Sequence, residues 1–124
     1  MKNNKNVILY CRVNRNDQKE IIEKQKNLLI KHCNENGYSV MAVIEDVRSG
    51  MKQISEETYA LLEKYKEEAK TILVSRWDRL SRNIENAIVD KRRLEKMGFN
   101  VCVVDRQVTL FGFRFQKHNE WIIA

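Results

Sequence analysis

Four short apolar runs set the frame of this chain: VILYCRV (7–13), YSVMAVIED (38–46), TILVSRW (71–77) and NVCVVD (100–105). Between them lie three stretches in which apolar residues return every three or four positions. Ile21, Ile22, Gln25, Leu28, Leu29, His32 and Cys33 mark the first. Thr58, Leu61, Leu62, Tyr65 and Ala69 mark the second, and Ile84, Ala87, Ile88, Leu94 and Met97 the third. Continuous apolar runs suit strands covered on both faces, and the intervening period suits amphipathic helices. Their alternation predicts an α/β domain of three layers, a mainly parallel sheet with helices on both faces. The order of the strands is not readable from the pattern. Asn14, Asn16 and Asp17 supply turn and cap chemistry before the first helix, which should stop at Asn36-Gly37. Ser55 is placed to cap the second helix, whose first turn carries Glu56 and Glu57, and Gly98 closes the third.

With 124 residues, 43% hydrophobic and 32% charged, the chain reads as one soluble domain with its own core. No apolar run reaches the ~20 residues that span a bilayer, so no membrane partner is expected. The polar start MKNNKN lacks a secretory signal, and the expected location is the cytoplasm. Cys11, Cys33 and Cys102 have no paired spacing and read as reduced core thiols; His32 and His118 have no partner at ligand spacing. Neither a disulfide nor a metal site is expected. A net charge of +6 favours a polyanionic partner only modestly, because lysine-rich solvated helix faces give the same sum.

Sheets of this class bind ligands outside the carboxyl ends of their strands. There the sequence places Arg12 and Asn14 after the first run, Asp46 and Arg48 after the second, and Arg76, Asp78, Arg79 and Arg82 after the third. Guanidinium groups gathered along one edge suit phosphate, since each offers planar donors that stay charged. The same spacing also fits surface ion pairs, such as Asp78 with Arg79 or Arg82. Neither GxGxxG nor a Walker A motif follows the first strand, which disfavours a nucleotide cofactor. A phosphodiester held by side-chain arginines fits better.

YCRVNRNDQ, EKQKNLL, EDVRSG and WDRLSRN, in this order, resemble the catalytic domain of serine recombinases, the resolvase/invertase family. That family's first motif reads Tyr-x-Arg-Val-Ser, with one glutamine soon after and a second in the helix. Its third reads Asp-Arg-Leu-Ser/Gly-Arg. The resemblance runs from about residue 7 to residue 105. It implies a serine that attacks a DNA phosphodiester and becomes phosphoserine, with no cofactor. It also implies that Arg12, Arg79 and Arg82 contact the scissile phosphate while Asp78 orients them or handles a proton. Tyr10, Gln18, Gln25 and Asp46 would support the site.

Three departures qualify that expectation. Asn14 stands at the place of the nucleophilic serine, and an amide nitrogen delocalised into its carbonyl cannot be activated as an alkoxide can. About five residues after Ser49-Gly50 the family has an arginine, usually followed by proline; here Ser55 and Glu56 stand there, leaving Arg48 or Lys52 to reach the phosphate instead. Ser49 and Ser81 match family serines that are not nucleophiles, and Ser75 reads as lying within a strand. Finally, FGFRFQKHNEWIIA does not resemble the long helix that follows in the family. The chain therefore reads as a resolvase-like catalytic domain (1–105) with an atypical tail (106–124). In that tail VTLFGFRF alternates like a strand or hairpin arm, Gly112 is a candidate bulge, and the apolar end is expected to pack on the body or on a second copy.

The expected function is that of a recombinase catalytic domain unable to cleave DNA as it stands, binding DNA weakly without a DNA-binding domain. Two alternatives accompany it. One is a truncated piece of an active recombinase; the other is a non-enzymatic module that forms homo-oligomers or pairs with an intact recombinase.

Overall fold

A computed structural model describes residues 5–13, 19–48, 53–76, 83–104, 109–110, 113–116 and 120–123. Strands β1 (Asn6–Val13), β2 (Ser39–Val47), β3 (Thr71–Val74) and β4 (Asn100–Val103) alternate with helices α1 (Lys19–Asn36), α2 (Glu56–Tyr65) and α3 (Ile84–Lys96). All neighbouring strands in this sheet run parallel, in the order β2-β1-β3-β4.

The period of two along β1 divides the core. Val7, Leu9 and Cys11 pack with Leu29 and Cys33 of α1 on one face. Ile8 and Tyr10 point to the other, where Tyr59 and Leu62 of α2 and Leu94 of α3 join Ile44, Ile72, Val74, Val101 and Val103. Helices thus cover both faces, and β1 is buried along its length except at Asn6. β2 differs from the expectation of a doubly covered strand. It lies at the edge of the sheet, and Val40, Met41, Val43 and Val47 are each more than a third exposed, leaving Ile44 as its buried residue.

The helices stop where glycine permits it. Gly37 and Gly98 adopt φ of 72° and 99°. The next amides, Tyr38 and Phe99, then turn back to the carbonyls of Cys33 and Leu94 at 2.9 and 3.0 Å. Ser55 caps α2 as expected, its hydroxyl accepting from the Thr58 amide at 3.1 Å, and Asn83 caps α3 in the same way through Asn86.

Three helix and strand readings need correction. On α1 the buried stripe is Ile22, Gln25, Leu29 and Cys33; Ile21 and Leu28 flank it in solvent. On α2 the inward residue is Tyr59 rather than Leu61, and Ala69 is buried beyond the helix end. β3 is only four residues long, so Ser75 sits in a bend after it, and Trp77 lies outside the described residues.

A second sheet is antiparallel. β5 (Thr109–Leu110), β6 (Phe113–Gln116) and β7 (Glu120–Ile123) follow one another in order, with Phe115 paired to Trp121 in register. The expected hairpin arm is present, and the apolar end adds a third strand to it; Gly112 falls outside the described residues.

Of the three cysteines, Cys11 and Cys33 are buried and Cys102 is half-buried. Burial pushes the Cys11 thiol up to about 12, with the Glu45 charge adding to the effect. Because the thiolate is the reactive form, a thiol reagent at about pH 8 should modify half-buried Cys102 while sparing Cys11 until denaturant is added. Counting labelled thiols by mass spectrometry checks this, and prompt labelling of Cys11 in the native protein would contradict the buried central strand.

Candidate phosphate site at the switch point of the sheet

In an open α/β sheet the crevice lies where consecutive connections depart to opposite faces. Here that point falls between β1 and β3. Their pairing ends at Leu9↔Leu73, while β1 runs on to Val13. Beyond Leu9, β1 has no pairing partner among the described residues of β3.

Gln25 takes the place of that partner at Arg12. Its Oε1 accepts from the Arg12 amide at 3.0 Å, and its Nε2 donates to the Arg12 carbonyl at 2.9 Å. Both bonds are buried, so the α1 carboxamide continues the ladder by one rung and holds the end of β1 straight. A polar residue on the buried stripe of α1 is thereby explained.

On the other side of β1 a register shift sets the chemistry. The pairing with β2 slips between Val7 and Ile8, so that Tyr10 lies opposite Ile44 and Arg12 opposite Asp46. Without the slip Arg12 would pair with Glu45, and Asp46 would turn to the α1 face. With it, Tyr10, Arg12 and Asp46 share the face covered by α2 and α3. The Tyr10 hydroxyl donates to Asp46 Oδ2 at 2.7 Å. Burial, followed by the Asp46 charge, raises the Tyr10 phenol above its ordinary value, so it stays a donor at neutral pH.

Arg12 is 2% exposed, an uncommon placement for a guanidinium. Its Nε donates to the Arg48 carbonyl at 3.4 Å. Arg48 is half-buried; its amide bonds the Val13 carbonyl at 2.8 Å, and its own Nε donates to the Gln53 carbonyl at 2.9 Å. Both arginines are thus set at the carboxyl ends of β1 and β2 by main-chain acceptors.

The sequence did not single out Asp90. This carboxylate on α3 is 1% exposed and accepts from the Tyr59 hydroxyl at 2.6 Å and the Ile54 amide at 3.1 Å. Burial raises its carboxyl above the ordinary value; the Tyr59 and Ile54 bonds and the charges of Arg12 and Arg93 pull it back down. The available signal was an acid at a helical interval between Ala87 and Leu94, on the apolar stripe. Nearby, Arg93 lies 3.7 Å over the Tyr59 ring and forks onto Glu56 at 2.6 and 2.8 Å, bracing α2 against α3.

Of the residues expected at the site, Tyr10, Arg12, Gln25, Asp46 and Arg48 come together as described. Asn14, Gln18, Lys52, Asp78, Arg79 and Arg82 lie outside the described residues, in the segments that follow β1, β2 and β3. Ser55, expected at the place of the family's arginine, is engaged as a helix cap. No helix among the described residues is long and apolar enough to cross a membrane.

Residues 7–117 match the profile described as the resolvase N-terminal domain. The chain belongs to the resolvase family. Solved structures agree. This resolvase-family chain is 29% identical to the C-terminal catalytic domain of ISC1926 TnpA, an IS607-like serine recombinase, with a TM-score of 0.68 over 81% of this chain and 70% of that one. The N-terminal catalytic domain of TP901-1 integrase is 26% identical, with a TM-score of 0.69 over 81% and 78%. A serine recombinase from Sulfolobus solfataricus is 25% identical, with a TM-score of 0.62 over 83% and 70%. A search of curated proteins gave no significant match. The parallel sheet and its helices are therefore those of the resolvase catalytic domain, and the profile extends into the tail, twelve residues past position 105.

Proposed function

We propose that this domain engages DNA phosphodiesters as serine recombinases do but does not break them, because an amide stands at position 14. One observation supports the reading: at the switch point Gln25 holds the Arg12 main chain, the Arg48 carbonyl receives Arg12 Nε, and Tyr10 bonds to Asp46. A buried arginine with this much scaffolding is costly to keep unless its charge is used. Asp78, Arg79 and Arg82 complete the cradle in this proposal, and Arg48 or Lys52 stands in for the arginine replaced by Ser55. The reaction would be phosphoryl transfer by positioning and charge, with no cofactor, lacking only its nucleophile.

DNA is the proposed partner in the cytoplasm, held weakly by residues 1–105, with the 106–124 tail available for pairing with a second copy or an intact recombinase. The test is a fluorescence titration of a short duplex between roughly 50 and 200 mM salt, where affinity should fall steeply as phosphate contacts are screened. A suicide duplex run in parallel on a denaturing gel should give no covalent adduct. Salt-insensitive binding would remove the phosphate cradle; an adduct formed by the unmodified protein would remove the claim of lost cleavage.

A further inference from the structure

The buried Asp90 has two donors, one on α2 and one in the loop before it, and the loop donor opens a hydrogen-bonded path to the site. Ile54, whose amide it holds, follows Gln53, whose carbonyl receives Arg48 Nε at 2.9 Å. The Arg48 carbonyl in turn receives Arg12 Nε at 3.4 Å. Gln53 is also tied to α3 directly, its Nε2 donating to Asn86 Oδ1 at 3.4 Å. α3 itself begins just after the segment that carries Asp78, Arg79 and Arg82.

We infer that Asp90 is a positioning residue for phosphate binding, fixing residues 53–54 to α3 so that Arg48 and Arg12 keep their aim along the sheet edge. The inference rests on the phosphodiester reading above and adds to it a residue outside the resolvase motifs. Tyr59 supports the same carboxylate from α2, so α2, α3 and the loop before α2 close on one buried oxygen pair. Packing alone does not call for an acid here. An aliphatic side chain on this stripe would fill the space without desolvating a charge, which is the cheaper way to build a core. Its value lies in holding an amide that otherwise belongs to a loop.

The test compares Asp90→Leu, Asp90→Asn and Arg48→Gln by the slope of log affinity for a short DNA duplex against log salt, well below each protein's melting temperature. Arg48→Gln should lower the slope by about one, the signature of one lost phosphate contact. Asp90→Leu should lower it by a similar amount. Asp90→Asn should restore it, because an amide oxygen can take the Ile54 N–H while its NH2 donates to the Tyr59 hydroxyl. A residue needed only for stability would change the melting temperature and leave the slope alone.

An unchanged slope in Arg48→Gln overturns the phosphate reading and this inference with it. A loss in Arg48→Gln with none in Asp90→Leu overturns the inference alone, as does an equal loss in Asp90→Asn and Asp90→Leu. Should Asp90→Leu not fold, amide hydrogen exchange on the unmodified protein decides: Ile54 is expected to be protected, and exchange at an open loop's rate with the full salt slope intact overturns the tether.

Discussion

Asn14→Ser is expected to form a covalent bond to DNA, raising adduct yield on a suicide duplex by ~10³-fold or more over the unmodified protein. The size follows from the chemistry. Serine recombination splits a phosphodiester exchange into two displacements through phosphoserine, and an amide cannot begin the first. The gain requires that the charge-stabilising groups still be in place, which the satisfied environment of Arg12 favours. The readout is a denaturing gel shift with the adduct mapped to residue 14 by mass spectrometry. Silence in the serine variant would mean that more than the nucleophile is gone, and Ser55 is the first place to look. Ser55 caps a helix where the family motif would place an arginine, so Ser55→Arg is expected to trade one cap bond for a phosphate ligand.

The second large effect is on stability. Gln25→Leu keeps the size of the side chain while stranding the Arg12 amide and carbonyl in a buried place. Each unsatisfied group costs roughly 1–3 kcal/mol, so the loss should be about 3 kcal/mol, a large part of the 5–15 kcal/mol typical of a domain. A urea melt should show the midpoint falling by roughly 1–3 M. Gln25→Glu should fall between the two, since it keeps the acceptor for the amide but sets an oxygen against the carbonyl. An unaltered midpoint in Gln25→Leu would mean that the carboxamide does not stand in for a strand.

These two residues show what could be read without coordinates. The resemblance to the resolvase motifs named both, along with Tyr10 and Asp46, whereas the position of Arg12 and Asp46 at strand ends was legible from the strand pattern alone. Gly37, Gly98 and Ser55 were legible for a local reason, as each satisfies a helix end through its own backbone or hydroxyl. Strand order was not, since parallel pairing joins segments whose patterns are alike. The slip between Val7 and Ile8 was hidden for a related reason: SVMAVIEDV has apolar residues on both faces, so its parity gives no hint of which acid turns toward Arg12. Leu61 was preferred to Tyr59 because apolarity was counted, whereas Tyr59 is drawn inward by the hydroxyl bond to Asp90. Asp90 itself was overlooked because an acid on a helix is ordinarily solvated.

The central position of β1 carries a consequence for biosynthesis. This strand leaves the ribosome ahead of the strands it pairs with; β2 can join it soon afterwards, but β3 is encoded about 60 residues further along. At translation rates of roughly 5–20 residues per second, one side of the most apolar segment waits several seconds for its neighbour. During that interval a nascent chain exposes an unpaired strand edge, the kind of surface that chaperones protect and that overexpression leaves to aggregate. Slower elongation after Val74, rather than before it, is the regime in which this domain should be recovered in the highest yield.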